Sequence, residues 1–355
     1  MKLHTIAFTD FRNLCDGVHE LCGGVNILYG DNAQGKTNFL EAAYVCATGR
    51  SQRGASDREM IRFDRKEAHV SVETNDRTRI DVHLCRDGKK RAAVNHTHVR
   101  RLGELFGNLL TVAFSPEDLK LIKSGPAERR RFMDIELCQL NRVYYYELQQ
   151  YYRALRQRNN LLKDIRRYAA AADTLPVWDR QLVEYGTKIS RRRSVFLEML
   201  NPIASDIHAR ITSGRETLYV GYDPHTPADL LEERLAQNHK KDIAQGGTSA
   251  GVHRDDLIFS INGLDCRIYG SQGQQRTASL SAKLAEVRLI RRHKGHDPIL
   301  LLDDVLSELD KNRQRFLLES MEHIQIIMTC TGAEDIFGKT PEGSKIMRVT
   351  DGRVE

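Results

Sequence analysis

Residues 25–38 read VNILYGDNAQGKTN, and the reading of this stretch decides the fold. Gly30, Gly35, Lys36 and Thr37 fit the spacing G-x-x-x-x-G-K-[ST] with no residue out of place. Glycines at those positions let the backbone turn tightly enough for successive N–H groups to face phosphate oxygens. The lysine adds a mobile positive charge for the β- and γ-phosphates, and the threonine hydroxyl is a ligand for Mg²⁺. The flanks supply the context such a loop needs. VNILY is apolar and strand-like, while TNFLEAAYVCATG carries Phe39, Leu40, Ala43, Tyr44 and Ala47 at helical spacing. Residues Gly30, Asp31, Asn32, Ala33, Gln34, Gly35, Lys36 and Thr37 are therefore expected to bind a nucleoside triphosphate.

Outward from the loop, 355 residues suggest two or more lobes. Apolar content of 40% with 29% charged residues excludes a disordered or membrane-embedded chain. MKLHTIAFTDFRNL at the N-terminus lacks the apolar core of a signal peptide, and no later run is long enough to span a bilayer. Seven scattered cysteines form no C-x-x-C pair, which argues against a zinc ribbon or redox motif and fits a reducing, cytoplasmic location. The net charge of +6 is compatible with a polyanionic partner.

Residues 70–73, 79–84 and 92–94 read as short strands of a mixed or antiparallel sheet. After GPAE (125–128) the pattern changes. Apolar residues recur at three and four from 129 to 168, and again from 177 to 211. Two long helices joined by a short break predict an antiparallel helical arm, with Pro202 expected to kink or divide the second. The tyrosines of YYYELQQYY (144–152) and the RRR runs at 129–131 and 191–193 could stack bases or grip phosphates. Helix packing and solvated faces are the plainer alternatives. Strands are expected again at 216–222, 256–263 and 266–270, with a loose polar segment at 238–251.

A P-loop site also needs a carboxylate at the end of a buried strand. PILLLDDVLSELD (298–310) supplies it: an apolar run ending in Asp303 and Asp304. Asp303 is the expected partner of Thr37 in holding Mg²⁺, and Asp304 the residue facing the attacking water. Lys36 and Asp303 lie near opposite ends of the chain, so a large insertion must split the nucleotide domain. The expected division is 1–125 for the first part of the head, 126–212 for the arm and 213–355 for the second part. Between arm and carboxylates, Ser271 and Gly273 in YGSQGQQRTASLSAKLAEVRLI (269–290) open a helix, which makes an anion site at its start.

SQGQQ, a helix, an apolar strand, DD and SELD resemble the signature motif, Walker B strand and D-loop of ABC-type ATPases. FRN (11–13), the split head and the helical insertion are similar to the DNA-repair branch of that family. FSPEDLKLIKSGPAERRRFMD (114–134) and GVHRDD (251–256) narrow the resemblance to the RecF family, although Ser124 replaces a usual glycine. The resemblance implies an α/β fold: an ABC-type P-loop ATPase head split by a helical arm, SMC/Rad50-like with a short coiled arm. It implies a weak, DNA-stimulated ATPase that dimerises with ATP on gapped or single-stranded DNA. Such a protein helps load recombinase with RecR/RecO-type partners, with roles in replication and SOS induction. It also implies that Ser271 contacts the γ-phosphate held by a second copy, that Arg12 contacts nucleotide, and that Lys36, Asp304 and Ser271 form the catalytic set. Where transporter ATPases carry a histidine after the next strand, this chain has MTCTG (328–332), with Thr329 or Thr331 as candidate substitutes. A transporter subunit, a compaction ATPase and a small-molecule kinase fit these features less well.

Overall fold

The computed structural model describes residues 1–168, 172–321, 323–331 and 343–355. The chain forms two compact units, Met1–Asp118 with Glu286–Glu355, and Leu119–Ala285.

The first unit holds two sheets. One is six-stranded, in the order Arg353–Val354, Lys345–Thr350, Val25–Tyr29, Ile326–Cys330, Ile299–Asp303, Thr111–Phe114. All of its pairings are parallel except the terminal one between Lys345–Thr350 and Arg353–Val354. The central strands are buried on both faces, which is why 299–302 reads as an unbroken apolar run. The second sheet is antiparallel, in the order Gly17–Glu20, Leu3–Thr9, Glu67–Thr74, Arg79–Cys85, Arg91–Val94, Thr97–His98. Helix Lys36–Thr48 packs against strands of both sheets, and from Phe39 to Thr48 every residue is buried. A helix covered on all sides carries no polar stripe, and Ala42, Ala43 and Ala47 let the sheets approach closely.

The second unit contains helices Pro126–Leu140, Arg142–Tyr168 and Leu175–Ile211 with a three-stranded antiparallel sheet, Leu264–Asp265, Asp256–Ile261, Leu218–Asp223. The two longest helices run antiparallel, since their cross-pairs descend on one as they ascend on the other: Tyr144 with Arg193, Glu147 with Arg192, Arg158 with Asp179. Strand Leu218–Asp223 packs on helix Leu175–Ile211. The compact unit is therefore larger than the expected 126–212 arm, because residues 213–285 cluster with the helices.

Several local expectations are revised. CRIYG is not a strand: Asp265 accepts hydrogen bonds from the N–H groups of Arg267 and Ile268 and starts a short helix, Cys266–Tyr269. The segment 238–251 contains helix His239–Gln245, anchored by buried Asp242. The run 129–168 is interrupted at Asn141, whose side chain accepts from the N–H of Val143 and restarts the helix. Helix Leu175–Ile211 continues through Pro202, with Leu200 and Ile203 buried on either side. Among the described residues no helix is long and apolar enough to cross a membrane.

Candidate nucleotide-binding site

The parallel sheet brings both ends of the chain to one place. Register sets Asp303 beside Thr329 and Thr329 beside Leu28, so the carboxylate strand ends level with the start of the loop. Gly30 has φ 148°, and a Cβ there would lie 2.3 Å from the Val349 carbonyl oxygen, so only glycine fits. Gly35, at φ 114°, caps helix Lys36–Thr48 and directs the first N–H groups of that helix toward the loop. Lys36 is buried, and its Nζ donates to the carbonyls of Gly30 (2.5 Å) and Asp31 (2.7 Å).

Thr37 Oγ1 donates to Asp303 Oδ1 at 2.7 Å. Thr329 Oγ1 donates to the same oxygen at 2.9 Å and accepts from the Asp304 N–H at 2.9 Å. Thr329 thus fixes the carboxylate of one aspartate and the backbone of the next. Asp304 sits at φ 51°, a left-handed conformation uncommon for a non-glycine residue, and its carbonyl accepts from Ser307 Oγ at 2.8 Å. Adjacent oxygens of an octahedral Mg²⁺ shell lie about 2.9 Å apart. The Thr37 and Asp303 oxygens match that spacing and are hard donors, so this pair fits the ion, with water completing the shell.

Arg12 is committed elsewhere. Its guanidinium forks onto Glu41 (2.8 and 3.0 Å) and reaches the Glu59 carbonyl (2.6 Å). Glu41 is 1% exposed and also accepts from Arg53 and Ser51. Burial alone would raise its pKa, but the bonds from Arg12, Arg53 and Ser51 outweigh that and hold it below the ordinary carboxylate value. The neighbour of Arg12, Asn13, is the residue that touches the loop: Nδ2 donates to the Ala33 carbonyl at 3.3 Å, and Oδ1 accepts from Asn38 at 2.7 Å. Nothing in the loop spacing pointed to Asn13 or Asn38. The only hint was the adjacency of Asn13 to Arg12 within FRN.

Ser271 belongs to the second unit. It is exposed at the start of helix Gln272–Lys294, where it exchanges hydrogen bonds with Gln274: Oγ accepts from the Gln274 N–H (3.2 Å), and its own N–H donates to Gln274 Oε1 (2.8 Å). This capping box rigidifies the helix start.

The remaining motifs form a buried polar network in the second unit. Arg129 pairs with Asp256 (2.6 and 2.8 Å), Arg130 donates to the Asp255 carbonyl, and Arg193 joins Asp134 to Asp255 at 2.8 Å each. Residues 114–134 and 251–256 are thus two halves of one structural network. Tyr144 and Tyr151 are fully buried within it, which removes them from base stacking; Tyr146 and Tyr152 remain partly exposed.

A family model described as "RecF/RecN/SMC N terminal domain" matches residues 2–354. The chain is 48% identical to the DNA replication and repair protein RecF of Agathobacter rectalis, over all of this chain and 99% of that one. It is 42% identical to the RecF of Clostridium perfringens strain 13, over the whole of both chains. Among solved structures, "the recombination mediator protein RecF-ATP in RecFOR pathway" superposes with a TM-score of 0.93 at 37% identity, covering 100% of this chain and 97% of that one. Its RecF-ATPrS counterpart gives 0.91 at 36% identity, with 99% and 97% covered. A Smc head bound to the winged-helix domain of ScpA shares the fold, at TM-score 0.56 and 17% identity with 100% and 96% covered. With its ABC-type ATPase head and its end-to-end match to these relatives, the chain belongs to the RecF family of DNA replication and repair proteins.

Proposed function

We propose that this chain is an ATP-gated DNA clamp of recombinational repair. The observation that carries the reading is the junction of Thr37, Asp303 and Thr329, which couples the glycine loop to the carboxylate strand. Residues 30–37 hold the triphosphate of ATP, with Lys36 on the β- and γ-phosphates. Thr37 and Asp303 would hold Mg²⁺, which when bound neutralises charge on the phosphate oxygens. Asp304 orients the attacking water. Its side chain is shorter than glutamate, and hydrolysis is correspondingly slow. Arg12 acts indirectly, fixing Asn13 and the helix behind the loop through Glu41.

Ser271, on its rigid cap, contacts the γ-phosphate held by a second copy, so ATP stabilises a homodimer by mass action. Loss of the γ-phosphate removes that contact and opens the clamp. The dimer binds gapped or single-stranded DNA in the cytoplasm and acts with RecO- and RecR-type partners to load recombinase, in repair, replication and SOS induction. DNA stimulates its ATPase. The relatives described as recombination mediators of the RecFOR pathway support this assignment.

Molecular mass in solution tests it, by light scattering with ATP, with ADP and without nucleotide, then with gapped DNA present. ATP alone should double the mass. Lys36→Ala and Ser271→Arg should prevent doubling, and Asp304→Asn should prolong it. DNA retention should track the dimer population and fall steeply with salt. A mass unchanged by ATP in every condition would remove the role of Ser271 across the dimer and leave a monomeric adaptor.

A further inference from the structure

The antiparallel sheet of the first unit alternates in apolar and polar residues along strands Glu67–Thr74 and Arg79–Cys85. Ala68, Val70, Val72, Ile80, Val82 and Leu84 face the core. The opposite face carries Glu67, His69, Asp81, His83 and Cys85, which is an unusual density of metal-ligating side chains for a solvated sheet. Register sets Glu67 directly across from Cys85 and His69 across from His83. Cross-strand neighbours on one face converge at their tips. His83 Nε2 lies 3.0 Å from Glu67 Oε2, and Cys85 Sγ lies 3.7 Å from Glu67 Oε1. One ligand atom from each of the three falls within 4.8 Å of the others.

Zinc bonds of about 2.0–2.3 Å place tetrahedral ligands about 3.3–3.6 Å apart. The two contacts to Glu67, at 3.0 and 3.7 Å, stand near those separations, and side-chain rotation within the 4.8 Å cluster is all that closing the site requires. Beside it lies an open trough of about 370 Å³ lined by His69, Asp81, His83, Arg91, His96 and His98. This trough gives a cation access and leaves room for a water as fourth ligand. A thiolate and an imidazole with one carboxylate favour Zn²⁺ over Mg²⁺ or Ca²⁺, which prefer all-oxygen shells. A thiolate and a carboxylate also balance the dication's charge. Without a cation, burial and the Glu67 carboxylate raise the Cys85 pKa, with Arg91 only partly opposing, so Zn²⁺ must displace the thiol proton as it binds.

We propose that Glu67, His83 and Cys85 form a surface Zn²⁺ site on this sheet, separate from the nucleotide site. The site ties strand Glu67–Thr74 to strand Arg79–Cys85 through side chains. None of its ligands contributes to the glycine loop or the carboxylate strand.

Metal-free full-length protein incubated with Zn²⁺ and desalted should retain one ion per chain. Co²⁺ in its place should give a sulfur-to-cobalt charge-transfer band in the near ultraviolet. Cys85→Ser should abolish that band, and Glu67→Gln and His83→Ala should lose stoichiometric Zn²⁺ retention. Cys15→Ser, which alters an exposed cysteine on another segment, should bind as the wild type does. Circular dichroism and ATP binding should be unchanged in all four variants, which separates ligand loss from misfolding. A wild type that retains no Zn²⁺ and shows no cobalt band, or a band that survives Cys85→Ser, would overturn the site.

Discussion

At the scale of single residues, similar motifs divide into chemistry and scaffold. In GVHRDD, the contacts of His253 make it structural. Nε2 lies 3.2 Å from the Thr248 carbonyl, which can only accept, so Nε2 carries the proton and Nδ1 accepts from Tyr151 Oη at 2.8 Å. Burial is the largest influence on its pKa, and it outweighs the opposing bond to Thr248. Nearby Arg254 and Arg130 add to burial, and the value falls from 6.5 to about 4. The folded state therefore holds this ring neutral while the unfolded chain protonates it, so stability is full above pH 6.5 and declines as pH falls toward 4. The loss amounts to at most about 3 kcal/mol. Trp178, the only tryptophan, lies in the same unit and reports its unfolding by fluorescence. His253→Gln should start less stable at pH 7 but show a flatter decline to pH 4.5. Equal slopes for the two proteins would refute the neutral-ring account.

At the scale of elements, legibility followed how local the information was. The strand ending at Asp303 could be read because a strand buried on both faces must be apolar throughout, and Ile299 to Leu302 are. The loop and its helix could be read because glycine spacing and capping are short-range. CRIYG misled because its alternation suits a strand, while the side chain of Asp265 supplies a stronger helical start. For Arg12, FRN pointed to the nucleotide by resemblance alone, and its fork onto Glu41, in the helix that follows the loop, is a contact that only the folded chain reveals. Thr329 was readable as a position, but its bridge between Asp303 and Asp304 required the sheet register. The SELD segment shows one residue type serving an element directly. Asp310 accepts from the N–H groups of Asn312 and Arg313 at the start of helix Lys311–Glu319, which makes it an N-cap. Asp310→Ala should destabilise this helix by about 1 kcal/mol, and Asp310→Ser should retain most of it. Hydrogen exchange checks this locally: amides of Asn312 and Arg313 should exchange about fivefold faster in the alanine variant. Unchanged protection would mean that packing of Leu317, rather than the cap, holds the helix.

At the scale of the whole molecule, the head is assembled from the two ends of the chain. The split itself was legible, since Lys36 and Asp303 must meet across a long insertion. Its boundaries were not. Strands Leu218–Asp223 and Asp256–Ile261 look like any half-buried strands, and their pairing with each other, with the first packed on helix Leu175–Ile211 and the second on helix Pro126–Leu140, is information of long sequence range. The consequence for folding is asymmetric. Strand Val25–Tyr29, which leads into the glycine loop, has as its sheet neighbours Ile326–Cys330 on one side and Lys345–Thr350 on the other. Among the described residues neither of its strand neighbours precedes residue 299, so the strand that feeds the loop is held in its sheet by the C-terminal segment. A chain ended after Ala285 should leave that strand with both edges bare, a configuration prone to aggregation and unable to hold the loop's geometry. It should fail to bind a fluorescent ATP analogue. Co-expression with residues 286–355 should restore binding, because the missing strands can enter from a separate chain. Wild-type affinity in the 1–285 fragment alone would mean that the loop organises itself without its sheet neighbours, and that the far-end carboxylate strand is dispensable for holding nucleotide.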